Sequence, residues 1–313
     1  MFKNGLLFVS LVLAFNMQLA AQDTVFNADG QQFTLTDAIV RNHFDYKDIL
    51  NRIKQDSSFY KAFKTLRTIG YSSYNHIEMM NENNKMQASL NSKTRQNKIG
   101  GCRTMDVLEE KVTGNLRNNK GEYNYTTPAL YASLFFTKGS ICGETNIVSG
   151  KNRKITGSGI DKAKEQLKML FFNPGKKIPG IPLIGNKLDL YDASAHELYD
   201  YKLDYVDYHG QLVYVFDVQP KADLGFFAKD RVVVDQMTTW FNPKTLEVLG
   251  RNYSLSYKAG VYDFNVQMEV EMTYFNGMLV PKILRYKGNW DVIFKKRERG
   301  LFTATLFDFK LGQ

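Results

Sequence analysis

Residues 264–286, FNVQMEVEMTYFNGMLVPKILRY, decide the fold. Phe264, Val266, Met268, Val270, Met272 and Tyr274 alternate with Asn265, Gln267, Glu269, Glu271 and Thr273. That is the period of two of a strand with one buried face. Asn276-Gly277 suits a tight primed turn, and Met278 to Tyr286 pairs back. A one-residue slip would bury two carboxylates, so the apolar set should face helices or a ligand and the charged set water. Met268 and Met272 are adaptable side chains of the kind that line permissive sites. The six alternating residues from Phe264 to Tyr274 are therefore the candidate ligand-binding residues.

The same pattern extends outward. Leu301 to Leu311 reads as a closing strand, and Val232–Phe241 and Leu246–Tyr257 as a pair joined by Asn242-Pro243-Lys244-Thr245. Tyr199, Tyr201, Leu203 and Tyr205 alternate with acidic and basic residues, Tyr208-His209-Gly210 turns, and Leu212, Tyr214, Phe216 and Val218 return. Residues 186–313 thus form an antiparallel meander.

Residues 22–185 read as helices plus the first strands. Leu35, Ala38, Ile39, Tyr46, Ile49, Leu50 and Ile53 make one helical face, with Thr34 or Thr36 as cap. Asp56-Ser57-Ser58 starts a second helix with Phe59, Phe63 and Leu66 inward, ended by Gly70. Tyr71 to Glu82 and Lys85 to Thr94 read as paired strands. Residues 24–33, with a turn at Asn27-Ala28-Asp29-Gly30, show little periodicity, and 95–126 read as loop. Residues 128–136 suit either a helix or a strand. Ile160, Ala163, Leu167, Leu170 and Phe171 form an amphipathic helix stopped by Asn173-Pro174-Gly175, and 174–185 are an irregular crossing. The expected fold class is α+β, with residues 22–313 as a single domain.

Residues 1–21 carry the marks of a secretory signal peptide. Lys3 precedes an apolar run from Leu6 to Phe15, and Leu19-Ala20-Ala21 offers a cleavage site before Gln22. The run is too short to span a bilayer, which needs roughly 20 residues. Export to the periplasm, or to the periplasmic face of an outer membrane, is the expected localisation. The chain holds 41 Lys and Arg against 32 Asp and Glu, a formal charge of +9. Nucleic acid is the usual partner of such a chain but is not expected outside the cytoplasm. The excess is dispersed in small clusters such as Lys176-Lys177 and Lys295-Lys296-Arg297, which suits a membrane surface or simple solubility. Cys102 and Cys142 are the two cysteines. In an oxidising compartment a lone pair should bridge, closing a loop of about 40 residues worth on the order of 4 kcal/mol. The alternative is two separate buried thiols. A bridge requires Cα atoms about 4.4–6.8 Å apart.

No motif for catalysis, metal or cofactor stands out. Asn186-Lys187-Leu188-Asp189 imitates a guanine-reading motif but has no phosphate-cradling loop upstream. Gly157-Ser158-Gly159 is half a dinucleotide fingerprint with no preceding strand. His196-Glu197 lacks a second histidine at helical spacing, and no nucleophile elbow is present. Asp189, Asp192, Glu197, Asp200, Asp204 and Asp207 suit a solvated strand face better than a calcium site. The expected protein is not an enzyme and needs no metal or cofactor.

Residues 199–221 (YDYKLDYVDYHGQLVYVFDVQPK) and 230–248 (DRVVVDQMTTWFNPKTLEV) carry a strand, glycine turn, strand and Pro-Lys order, followed by strand, turn and strand. With the helices before them, they resemble the outer-membrane lipoprotein-sorting and carrier superfamily. The resemblance implies a half-open barrel, in which a curved antiparallel sheet wraps a few helices and its concave face holds acyl chains. It transfers no site residues. The function it implies is non-catalytic binding of a lipid or other apolar ligand. The alternative is an envelope interaction module with a self-filled core, docking a protein partner through a sheet edge. A small outer-membrane barrel is opposed by the amphipathic helices and charged strand faces.

Overall fold

The computed structural model describes residues 23–28, 31–41, 46–148, 170–178, 185–259, 262–292 and 297–312. The signal peptide reading, and the amphipathic helix up to residue 169, lie outside these residues.

Among the described residues thirteen strands form one open, curved sheet. In chain order the elements are β1 (Thr24–Ala28), β2 (Gln31–Leu35), α1 (Asp37–Arg41), α2 (Tyr46–Gln55), α3 (Ser58–Thr65), β3 (Gly70–Met80), β4 (Met86–Ile99), β5 (Cys102–Gly114), α4 (Thr126–Phe135) and β6 (Ile141–Cys142). They continue with β7 (Tyr199–Tyr208), β8 (Gln211–Pro220), α5 (Phe226–Lys229), β9 (Val234–Phe241), β10 (Val248–Ala259), β11 (Tyr262–Phe275), β12 (Met278–Val292) and β13 (Glu298–Lys310). The spatial order is β1-β2-β7-β8-β9-β10-β11-β12-β13-β3-β4-β5-β6.

The meander from β7 to β13 is the one expected, with each strand beside the next. Its turns work as the residues require. His209 and Gly210, then Asn276 and Gly277, all take positive φ, the backbone of a two-residue primed turn. A bulge between β11 and β12 leaves Lys282 without an opposite residue, next to Pro281, which has no amide to give the ladder.

Several expectations for the first half are corrected. Residues 24–28 and 31–35 are strands that pair antiparallel with each other, and β2 pairs in parallel with β7 through Phe33↔Tyr201, so the sheet is not wholly antiparallel. Of the expected helical face, Leu35 ends β2, Ala38 and Ile39 lie in α1, and Tyr46, Ile49, Leu50 and Ile53 in α2. Thr36 stands before α1, but its hydroxyl donates to Asp204 (2.6 Å). Gly70 does not end α3, which closes in a 3-10 turn at Leu66–Thr68; it opens β3, where a Cβ would meet the Gln96 carbonyl at 3.1 Å. Residues 95–114 are not loop. They complete β4 and form β5, a strand exposed along most of its length. Of the two readings for residues 128–136, helix holds.

Cys102 and Cys142 form the disulfide and are directly opposed in the β5–β6 pair. Their Cα atoms are 4.0 Å apart, slightly under the expected window. The bridge pins residues 136–148 to the sheet edge, where Glu144 receives the Arg103 guanidinium.

One cross-strand row shows where the core sits. Phe33, Tyr201, Val218, Met237, Tyr253, Met268, Tyr286, Phe302, Ile77 and Leu90 are successive register partners across ten strands. Every one of them is buried. Residues on one row share a face, so this is the inner face, and helices lie on it. Contacts join α3 to β12, α1 to β7 and α4 to β13. Glu298 of β13 sets the start of α4, its carboxylate accepting from the amides of Thr126 (2.6 Å) and Thr127 (2.8 Å). The row's next member, Val112 of β5, is 38% exposed, so the helical cover ends there.

Candidate functional site

The structure separates the six strand residues singled out in the sequence. Val266, Met268 and Val270 lie in the main core, while Gln267 and Glu269 are exposed, so the register is the expected one. Phe264 and Met272 are half-buried at the margins of that core. Tyr274 is 42% exposed and donates to the Glu247 carboxylate (2.9 Å). No open groove gathers these side chains among the described residues. Phe171 lies against Tyr286 with ring centroids 5.2 Å apart, and its carbonyl accepts from the Tyr253 hydroxyl (3.0 Å). Phe172 packs on Phe63 at 4.4 Å. The inner face beside β11 is filled by the chain itself.

One polar group stands out inside this filling. Arg251 of β10 is only 8% exposed. It shares a row with Thr239, Val270, Leu284 and Ala304, which places it on the inner face. Its Nε donates to the Thr239 hydroxyl (3.0 Å), and its guanidinium lies over the Phe59 ring at 4.6 Å. Its nearest carboxylate, Asp56, is 3.9 Å from Nη2, beyond hydrogen-bond range. Asp56 instead accepts from the Ser58 amide at the start of α3 (2.9 Å).

A second cation approaches from the crossing segment. Lys176 lies over the Tyr191 ring at 5.1 Å and donates to the Lys54 carbonyl. Asn173, Pro174 and Lys176 close over Arg251 as a lid. The lid crosses tightly at Gly175, whose φ is +79° and where a Cβ would come within 2.6 Å of Met237. Between lid and floor remains a void of about 10 Å³, roughly the room of one water. Its lining holds two cationic side chains, Arg251 and Lys176, against one carboxylate, Asp56. Burial lowers the pKa of both cations and pushes the Tyr191 phenol up to about 12. Chemically this is an anion-seeking site, with a planar fork of donors that matches a carboxylate or phosphate.

Sequence reasoning missed Arg251 because β10 is read by its apolar alternation. The signal was an arginine at an inward position, two residues from Tyr253 and in register with Val270 on β11.

The acidic run is spent locally. Asp189 accepts from the Tyr191 amide, Asp192 from Ser194, Asp204 from Thr36 and Asp207 from Gly210. No group of three or more His, Cys, Asp and Glu side chains among the described residues could hold a metal ion. On the outer face a depression of about 360 Å³ contains His76, whose ring nitrogens are taken by Asn91 (2.7 Å) and Glu78 (3.0 Å).

No protein-family model and no curated protein matches the chain. It is similar to a solved DUF1329 family protein from Desulfovibrio piger ATCC 29098, at 12% identity over 88% of this chain and 94% of that one, with a TM-score of 0.26. It is also similar to a putative outer membrane lipoprotein-sorting protein domain from Vibrio parahaemolyticus, at 8% identity over 84% and 91%, with a TM-score of 0.27. The resemblance is one of fold, at low identity. Scores at this level carry no argument about function.

Proposed function

We propose that the chain is exported and non-catalytic, and that its curved sheet acts as a half-open barrel. Its concave side binds an apolar ligand that ends in an anionic group. The observation that carries this reading is Arg251. A buried cation with one hydrogen bond among the described residues, an ion pair to Asp56 stretched to 3.9 Å and a second cation nearby is costly for folding alone. Apolar residues in place of Arg251 and Asp56 together would pack there at lower cost. The cost is offset when a carboxylate or phosphate displaces the lid at 173–176 and takes the guanidinium fork. The tail would then lie along Tyr253, Met268 and Tyr286 as the overlying segments move aside. The Cys102–Cys142 bridge supports an oxidising compartment such as the periplasm or the periplasmic face of an outer membrane.

A pyrene-labelled fatty acid and its methyl ester test the reading. The wild-type protein should bind the acid more tightly than the ester. Arg251→Met should lose that preference; because it leaves Asp56 buried without its cation, Arg251→Met with Asp56→Asn is the matched control that keeps the fold. Failure of the wild type to bind either probe would overturn the proposal.

A second reading is an envelope interaction module with a self-filled core. It is favoured by the burial of Met268 in the chain's own core and by β5, whose far edge is paired only at Cys102 and Arg103 among the described residues. Val107 and Leu108 are exposed on that strand, at 59% and 40%. An unpaired edge of this kind is a ready template for a partner strand. Capture of a defined envelope protein that is lost on Val107→Lys would support it.

A further inference from the structure

β5 carries TMDVLEEKVT at residues 104–113, beyond its short pairing with β6. Among the described residues no strand lies against this stretch on the side away from β4. The chain itself sets the two ends of the free edge. Ile141 occupies it at Arg103, and Gly114, with φ +67°, turns the backbone out of the strand. The segment after Gly114 passes to the inner face, where Leu116 joins the core and Arg117 donates to the Glu110 carboxylate (2.8 and 2.9 Å). The outward amides and carbonyls of residues 104–113 are left as a template for another strand.

Pairing with β4 assigns the two faces of this stretch. Met105, Val107, Glu110 and Val112 stand opposite Gln96, Thr94, Ser92 and Leu90, all buried, so they point inward. Thr104, Asp106, Glu109, Lys111 and Thr113 point outward. Leu108 has no partner on β4 and is the extra residue of a bulge. Four charged side chains lie on the edge. Two of them have cations of their own chain, Glu109 with Lys93 (4.0 Å) and Glu110 with Arg117. Asp106 accepts from Asn97 (2.8 Å) and stands opposite Arg95 of β4, and Lys111 stands opposite Asn91.

We infer that this edge pairs with the same edge of a second copy, antiparallel about a two-fold axis at the bulge. In that register Thr104 meets Thr113, Met105 meets Val112, Asp106 meets Lys111 and Val107 meets Glu110, each pair twice. Inward residues meet inward ones along the free stretch, and the pairing stops where Ile141 and Gly114 end the edge. The match of Asp106 with Lys111 selects this register, because opposite charges directly across a strand pair attract and like charges repel. A slip of two residues sets Asp106 against Glu109 in one direction and Glu109 against Glu110 in the other. A slip of one residue sets inward side chains against outward ones. Bulges and inward carboxylates commonly guard an edge. Here the bulge of one copy faces that of the other and Glu110 already holds Arg117, so neither opposes the pairing. Exposed Val107, Leu108 and Val112 are covered by it. The inference takes the edge that the second reading above gives to a partner strand and assigns it to the chain itself; the ligand reading and Arg251 take no part.

The test is sedimentation equilibrium of the full exported chain over a range of concentrations. Wild type should pass from monomer to dimer. Asp106→Lys and Lys111→Asp should each weaken the dimer at least about tenfold, because both copies of the charge pair become repulsive. The double variant Asp106→Lys, Lys111→Asp restores opposite charges across the axis and should bring the dimer back. A mixture of Met105→Cys and Val112→Cys proteins should cross-link between copies on oxidation, whereas Met105→Cys alone should not. A wild type that stays monomeric up to roughly 0.1 mM would overturn the inference. So would a dimer that the single variants leave unchanged, a double variant no better than the singles, or a mixture that fails to cross-link. A monomeric wild type that captures an envelope protein through Val107 would give the edge to that partner and keep the second reading alone.

Discussion

The inner face of the sheet solves the same problem in two ways. Across β10, β11, β12 and β13 it presents Tyr253, Met268, Tyr286 and Phe302, filled by contact with Phe171 and the aromatic side chains of α4. Across β3 and β4 the inward positions include Ser73, Asn75, Ser92, Thr94 and Gln96, all buried and all polar. There the filling is a hydrogen-bond network. The Tyr131 hydroxyl donates to Asn75 Oδ1 (2.6 Å), and Asn75 Nδ2 donates to Ser92 and Thr94 (3.3 Å each). Gln96 Nε2 donates to the carbonyls of Leu66 (2.6 Å) and Ile69 (2.8 Å). The first region depends on area removed from water, the second on partners. They should therefore fail differently when altered.

The largest effect is expected from placing a charge in the apolar region. Met268 is 2% exposed between Tyr253 and Tyr286. Met268→Lys loses that packing and strands an ammonium, which should cost more than about 4 kcal/mol and leave little folded protein in a urea titration. A near-normal midpoint would mean that water reaches this face, and the contrast between the regions would collapse. Gln96→Leu is the matching test on the polar side. It keeps the size but orphans two carbonyls and removes the Oε1 that accepts from the Thr137 hydroxyl and Arg103, although Arg103 keeps Glu144. A loss of about 2–3 kcal/mol is expected, against less than about 1.5 kcal/mol for Met268→Leu. Equal costs would show that the network adds nothing beyond packing.

The same contrast explains what was legible in the sequence. From Tyr199 onward, inward residues are apolar and outward ones charged, so period, turns and strand order could all be read. In β4 the inward set is Ala88, Leu90, Ser92, Thr94 and Gln96, and the apolar signal fades after Leu90 although the strand runs to Ile99. In β5 neither face is covered, so nothing forces alternation, and the strand reads as loop. The hairpin of β1 and β2 was hidden for a different reason: it is held by β7, a partner more than 160 residues away, through a parallel pairing that leaves no local mark. The candidate site was half legible. Met268 was placed on the correct face, but the lid at 173–176 and the cation beneath it, Arg251, depend on tertiary packing.

The smallest expected effect separates the regions by pH. Tyr71, at the polar end, is 4% exposed and donates to the Phe135 carbonyl at a long 3.4 Å. Burial pushes its phenol up to about 12, although Arg103 and Arg67 pull it down. Burial raises the Tyr253 phenol of the apolar region further still. An unfolded tyrosine ionises at about 10. The folded-state pKa of Tyr71 is thus the higher one, so its stabilising contribution is complete below pH 10 and is lost as the pH rises through about 12. Across that window it should remove about 1 kcal/mol per pH unit. Tyr71→Phe forfeits only a long hydrogen bond at neutral pH, about 0.5–1 kcal/mol, and then escapes the alkaline loss. Urea titrations at pH 9, 10 and 11 should show wild type ahead at pH 9 and the two proteins converging or crossing near pH 11. Tyr253→Phe removes a phenol that burial keeps neutral and that donates to the Phe171 carbonyl, so its curve should depart from wild type across the same rise in pH and continue beyond it. If wild type and Tyr71→Phe stay parallel, Tyr71 ionises as it does in the unfolded chain, and the polar end of the inner face is wet rather than sealed by its hydrogen bonds.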